Sequence, residues 1–458
     1  MTILDLNTGD TAWVLASAGL VLLMTPGLAL FYGGMVRAKS ALNMMMMSFV
    51  AMGTVGVLWV LFGFSMAFGN SWNGLVGDPL QFAGLRDVAG TLVGAEGHQV
   101  PLFVFVGFQA AFAIIAVALV SGAVADRMKF SAWLLFTVLW ATLVYFPAAH
   151  WVFAFDGVVA ERGGWIANTV KAFDFAGGTA IHINAGVAAL VLALVLGPRH
   201  GFGAKPMRPH NLTLVMLGAG LLWFGWFGFN AGSALGAGDL AGLTWVNTLA
   251  AACAAMLAWL VVEQFRDGHP TSLGAASGIV SGLVAITPAC AVVTPLGALA
   301  VGVLAGVGCA LAVGLKHRLG VDDSLDVVGV HLVGGLIGTL AAGLFAKGSL
   351  TGGVAGLFYG GGFDQLGRQA LGALGVMAWS GLVSLLVALA IKYTVGLRVS
   401  LRDEMEGVDL TEHAEIGYDL SNVGYTSYRV RSTLVVPPVA PADTTAADAT
   451  AAEKEAVA

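Results

Sequence analysis

The chain has 458 residues, 58% of them hydrophobic and only 10% charged, with a formal net charge of −6. Soluble globular chains carry about 25% charged residues, so this composition excludes a soluble enzyme or a nucleic-acid-binding domain and reads as an integral membrane protein. Long apolar runs, in place of an alternation of period two, exclude a β-barrel and require helices.

No Lys or Arg precedes Arg37, whereas a cleaved signal wants a basic start, so the first apolar run is expected to be a retained span. Eleven spans follow in order, near 13–35, 45–68, 101–124, 131–153, 176–197, 211–233, 244–264, 273–290, 295–315, 327–346 and 370–396. Asp5 and Asp10 before the first span suit an outside N-terminus. The inside loops then carry Arg37, Lys39, Arg127, Lys129, Arg199, Lys205, Arg208, Arg266, Lys316, Arg318, Arg398 and Arg402, against Arg86, Arg162, Lys171, Lys347 and Arg368 outside. That bias supports the orientation, and an odd number of spans puts the C-terminus in the cytoplasm. Residues 1–402 form the expected membrane domain, 403–431 a charged cytoplasmic segment, and 432–458 a tail whose Pro, Ala, Thr and acidic residues predict disorder.

Polar residues inside the spans carry the functional signal, because they are expensive there. Asp174 opens the fifth span, and His182 follows eight residues on. At about 1.5 Å per residue of helix that is about 12 Å deeper, near the bilayer midplane. The tenth span repeats the pattern with Asp326 and His331, and in both a glycine follows the histidine by four residues (Gly186, Gly335). Five spans per half reverse the second half, an inverted 5+5 repeat plus a final helix with a site at the repeat interface. One buried histidine divides evenly between a packed core residue and a functional one. Two in mirrored positions favour a pore in which neutral imidazoles share a proton and offer a small solute an acceptor or a donor. No further ligand stands close enough for a metal site, and no nucleophile stands beside a base, so neither metal, cofactor nor enzyme is expected. Cys253, Cys290 and Cys309 read as small buried side chains. Met44 to Met47 point all round a helix and read as packing.

The motifs Asp174-Phe-Ala-Gly-Gly-Thr-Ala-Ile-His-Ile-Asn-Ala-Gly186, Gly225-Trp-Phe-Gly-Phe-Asn-Ala-Gly-Ser233, Asp326-Val-Val-Gly-Val-His331, Phe108-Gln-Ala-Ala-Phe112 and Thr287-Pro-Ala-Cys290 resemble the ammonium transporter family in its microbial and plant branch. The resemblance spans about residues 13–418. It implies an all-α, eleven-helix subunit with its own pore, a homotrimer in the cell membrane, and ammonium or ammonia as substrate with methylammonium as an analogue. By the same resemblance His182 and His331 are the paired pore histidines, Phe112 and Phe229 the gate, and Trp226, Thr287 and Asp326 the wall and its support. Asp174, Phe108, Phe153 and Ser233 then recruit ammonium outside. Phe153 stands where the family often has Trp, and Trp151, two residues away, is the alternative at the mouth. Glu406-Gly-Val-Asp-Leu-Thr-Glu-His-Ala-Glu-Ile-Gly-Tyr418 resembles the family's regulatory tail, with Gly407, Asp409, His413 and Tyr418 as its marked residues. Ala414 stands where a glycine is usual, and a PII-type signal protein is the family's partner. The implied activity is ammonium uptake, either electrogenic or as a passive ammonia channel. An ammonium sensor signalling through the tail is the reading from another class.

Overall fold

The computed structural model describes residues 6–205 and 207–418. The chain divides into two units, Met1–Gly417 and Tyr418–Ala458, and only Tyr418 of the second is described. The expected tail over 432–458 lies outside the described residues.

Among the described residues, ten helices are long and apolar enough to cross a membrane. They are α1 (Thr8–Met35), α2 (Ala38–Phe68), α3 (Leu102–Val124), α4 (Phe130–Phe153), α5 (Gly178–Leu196), α6 (Leu212–Gly232), α7 (Asp239–Asp267), α9 (Pro295–Leu319), α10 (Val328–Phe345) and α11 (Asp364–Thr394). The eleventh expected span is the shorter apolar α8 (Ser272–Ile286). It was expected to reach residue 290. It stops at Ile286 because Pro288 follows and cannot continue a helix. Starts are set by local chemistry. Asn7, Asn211, Thr271 and Thr294 each accept an N–H from the first turn of α1, α6, α8 and α9, and Pro295 occupies the first turn of α9, where its missing N–H costs nothing. Two small hairpins, Ser71–Trp72 with Val76–Gly77 and Leu92–Val93 with Val100–Pro101, fold the loop between α2 and α3.

α5 and α10 are five crossings apart and so traverse the bundle in opposite senses. Each starts with a π-helical turn, Gly178–Ile183 and Val328–Leu332, and each turn holds one histidine. The helices approach closely through the two glycines. A side chain on Gly186 would put its Cβ 2.5 Å from Leu332 N, and one on Gly335 would put it 3.0 Å from Gly178 O. Two short helices, α12 (Leu401–Glu406) and α13 (Val408–His413), follow the last span and pack on the bundle end that the charge bias assigns to the cytoplasm.

Candidate functional site

The turns that carry the two buried histidines are capped by carboxylates. The Asp174 side chain accepts N–H bonds from Gly177 (2.9 Å), Gly178 (2.6 Å), Thr179 (2.8 Å) and Ala180 (3.1 Å). It thereby satisfies all four amides that a helix start leaves without partners. The four residues before the turn are not helical, and Gly177 sits at φ 122, so the depth counted from Asp174 as regular helix does not apply. The mirrored cap on α10 is Asp323, which accepts from Val327 (3.0 Å) and Val328 (2.7 Å). The expectation had given this place to Asp326. Asp326 instead takes a left-handed φ of 63 and pairs with Lys316 Nζ at 2.5 Å. Burial and the nearby Asp326 push the Asp323 carboxyl up, to about 6.

With their turns fixed, His182 and His331 meet edge to edge, nitrogen to nitrogen. Their Nδ1 atoms are 3.2 Å apart and their ring planes 23° from parallel. One ring must donate and the other accept, so the pair holds opposite tautomers. Both are buried, and His182 Nε2 has no hydrogen-bond partner among the described residues. A cavity of about 20 Å³ lies against both rings, walled by Leu28, Tyr32, Ile115, Trp226 and Phe229 among others. One water-sized molecule needs about 10–15 Å³ by this measure. Trp226 stacks on His182 at 5.4 Å and 22°, and its indole N–H donates to Thr287 Oγ1 at 2.9 Å.

Phe229 and Phe112 lie ring to ring at 4.4 Å, with Phe108 edge-on to Phe112 at 4.8 Å. Phe229 faces the histidine cavity, and Phe112 faces a cavity of about 90 Å³ lined also by Phe108, Gln109, Phe153, Phe175 and Ser233. A wider cavity of about 600 Å³ continues past Phe153, Asp174 and Phe175. Ser233 Oγ donates to Phe229 O at 2.8 Å, which leaves its lone pairs to accept. Trp151 lines neither cavity. It packs on Trp165 and Trp379, and its N–H donates to Leu75 O at 2.6 Å. Of the two candidates, Phe153 is the one that lines both cavities. Sequence reasoning missed Phe175, although it follows Asp174 directly in the motif. It also missed Asp323, whose signal was a second acid three residues ahead of the one singled out.

The tail reaches three places on the bundle end. Asp409 accepts from Leu42 N (3.0 Å) and Asn43 N (2.7 Å) at the start of α2, and Glu412 accepts from Phe130 N (2.9 Å) at the start of α4. Glu404 accepts from His200 N and pairs with Arg398. His413 contacts Asn43 Oδ1 at 3.0 Å and stands edge-on to Phe130. Gly407 turns the chain at φ 124, against Lys39. Tyr418 belongs to the second unit and has an interaction partner.

The Ammonium Transporter Family matches residues 12–418. The chain is 61% identical over 449 residues to the ammonium transporter of Mycobacterium tuberculosis, covering 94% of this chain and 92% of that one. It is 45% identical over 417 residues to the ammonium transporter of Aquifex aeolicus, covering 91% and 94%. Among solved structures, Mep2 of Candida albicans superposes with TM-score 0.82 at 33% identity over 94% of this chain and 95% of that one. A protein titled Sensor Amt Protein superposes with TM-score 0.81 at 31% identity over 88% and 98%. With a family match that runs from the first membrane helix to the end of the docked tail, this chain belongs to the ammonium transporter family.

Proposed function

We propose that the protein is an electrogenic ammonium transporter whose substrate loses its proton at the aromatic gate and regains it on the far side. The observation that carries the reading is the order of the cavities. An aromatic outer recess ends at Phe112, the Phe112–Phe229 pair closes it, and beyond lies a cavity sized for one small molecule against His182 and His331.

Ammonium arrives at the recess beside Phe108, Phe153 and Ser233. Aromatic faces attract a cation by about 0.5–2 kcal/mol, and the serine lone pairs accept one of its four N–H donors. Potassium has the charge but no donor. Asp174 is spent on four backbone amides, so it shapes the entrance and lends it negative potential without touching substrate. A bare cation in the apolar cavity beyond the gate is costly. Neutral ammonia crosses it, and the proton follows through the Nδ1–Nδ1 bond as the two rings exchange tautomers. His182 Nε2 is the buried polar atom left to meet the substrate. The tail, docked by Asp409, Glu412 and His413, supports regulation at the inner face, where a PII-type protein is the partner the family resemblance implies.

The current on an ammonium pulse in proteoliposomes tests this reading. Ammonium should give a transient current and potassium none. Replacing both His182 and His331 with Ala should abolish the ammonium current or let potassium carry it. A double variant with full current and full selectivity would sink the central role given to the pair. A wild type that conducts ammonia faster than empty vesicles without current would make it a gas channel. Specific ammonium binding with negligible flux would favour the sensor.

A further inference from the structure

The backbone around the histidine turn needs partners that its own helix does not supply. Lys171 is left-handed at φ 58 and Gly177 sits at φ 122, and no regular helix covers residues 171–177. Buried backbone N–H and C=O groups must nonetheless be paired. The last membrane helix, α11, pairs Lys171 O and both backbone groups of Phe173, while Pro288 O accepts the Phe175 N–H and Asp174 the Gly177 N–H. Gln369, fully buried, accepts the Phe173 N–H on Oε1 at 2.5 Å and returns Nε2 to Phe173 O at 2.7 Å. The same Nε2 reaches Thr339 O of α10 at 3.0 Å. Gln365, one turn earlier, donates to Lys171 O at 3.2 Å and to Gln369 Oε1 at 3.0 Å. Beyond the turn, Ser380 Oγ donates to Asn184 O at 2.8 Å. One helix therefore holds both flanks of the stretch that carries His182.

The contact with Phe173 is the decisive one. A reciprocated pair of bonds fixes the peptide planes on both sides of one residue, and the next residue is Asp174. A buried carboxamide in a membrane helix is costly unless its bonds are made, and apolar packing alone would dock α11 at lower cost. Ser384 on the same helix offers the contrast. It is equally buried, yet it accepts from Trp140 Nε1 at 3.0 Å and does not touch the histidine turn.

We infer that Gln369 is a positioning residue for ammonium recognition, acting through Phe173 on Asp174 and so on the shape of the outer mouth. The inference rests on the function proposed above. Gln369→Met keeps the length of the side chain and removes every one of its hydrogen bonds. Ammonium uptake by proteoliposomes, normalised to monodisperse protein recovered from the vesicles, reads the effect. The KM should rise about tenfold while the maximal rate stays within about twofold, and Ser384→Ala should keep the wild-type KM. A Gln369→Met KM within about twofold of wild type overturns the inference, and so does an equal rise in Ser384→Ala, which would make Gln369 a docking contact only. Should Gln369→Met fail to fold, Gln369→Glu keeps the acceptor for Phe173 N–H, loses the N–H donors, and is read by the same criterion. Absence of flux in the wild type would reject the proposed transport function and not this inference. Hydrogen exchange then decides it: amides 173–180 should exchange faster in Gln369→Met than in Ser384→Ala, and equal rates overturn it.

Discussion

Individual polar residues at the bundle ends show how far sequence reasoning reaches. Asp174 and both histidines were legible because a polar group within an apolar run is rare and costly. Asp323 was not, because a cap is chosen by the geometry of the turn it serves, and two acids three residues apart look alike in one dimension. Still less legible is the cluster that closes the bundle end where the tail docks. Asp322 takes three bonds from Arg199, to N, Nε and Nη2, at 2.8–2.9 Å, and Asp126 takes Arg199 Nη1 at 3.0 Å and Arg37 Nε at 3.1 Å. Burial pushes both carboxyls up, but Arg199 outweighs it, helped by Arg37 at Asp126 and by Arg127 at Asp322, and both are held below the ordinary carboxylate range. Burial also lowers the Arg127 guanidinium, to about 10. A carboxyl depressed in the folded state contributes stability that is fully present above its unfolded value of about 3.9. That contribution is lost as pH falls through the lower folded value. Thermal unfolding in detergent should thus show this contribution constant from about pH 5 to 8 and fading below about pH 4. Asp322→Asn strands part of the charge on Arg199 and Arg127 and should cost about 3 kcal/mol at neutral pH. Its deficit against wild type should shrink once the wild-type Asp322 is itself protonated, and a deficit that stays constant down to pH 3 would contradict the assignment.

At the scale of elements, the span positions followed from hydropathy alone, because apolar length decides what crosses a bilayer. Where the structure differs, hydrogen bonding outweighs hydropathy. α8 ends before Pro288, and α5 begins only where Asp174 has capped its amides. The π-helical turns left no trace in the sequence, since a span that is apolar all round has no polar face whose register an added residue could shift. The tail was legible as a motif, but not as a set of caps for α2 and α4. One departure from the family pattern becomes quantitative here. Ala414, where a glycine is usual, closes α13 in the left-handed region at φ 55. A residue with a Cβ pays roughly 1 kcal/mol there, and glycine does not. Ala414→Gly should therefore tighten the docked tail by about 0.5–1 kcal/mol, with the greater backbone freedom of glycine offsetting part of the gain. Hydrogen exchange over 401–413 should slow by about two- to fivefold. Unchanged or faster exchange would mean that the tail is held by its acidic caps alone, and that the turn at Ala414 contributes nothing to docking.

For the whole molecule, composition established a helical membrane protein, the charge bias suggested how it is oriented, and the two mirrored histidines pointed to a pore. Neither composition nor hydropathy showed that the proposed pore is interrupted. Only the fold brings Phe112 of α3 against Phe229 of α6, and that closure gives the transport cycle a testable electrical consequence. If ammonium passed through as a cation, or as ammonia with its proton carried alongside, one charge would cross per substrate. The membrane potential would then bias the distribution by about 2.3 kcal/mol per 100 mV, a ratio of roughly fifty. If ammonia passed alone, the potential would contribute nothing and only a pH gradient would concentrate it. Proteoliposomes held at equal pH on both sides, with a diffusion potential of about 100 mV negative inside, separate the cases. Labelled methylammonium should accumulate severalfold to roughly fifty-fold, depending on leak, and the accumulation should collapse when the potential is discharged. The His182→Ala, His331→Ala double variant should lose this accumulation even where it still passes substrate, because the proton then has no path across the dry cavity. Accumulation that ignores the potential in the wild type would leave the closed aromatic gate as a filter for neutral ammonia, with the histidines lining the way and no proton moving between them.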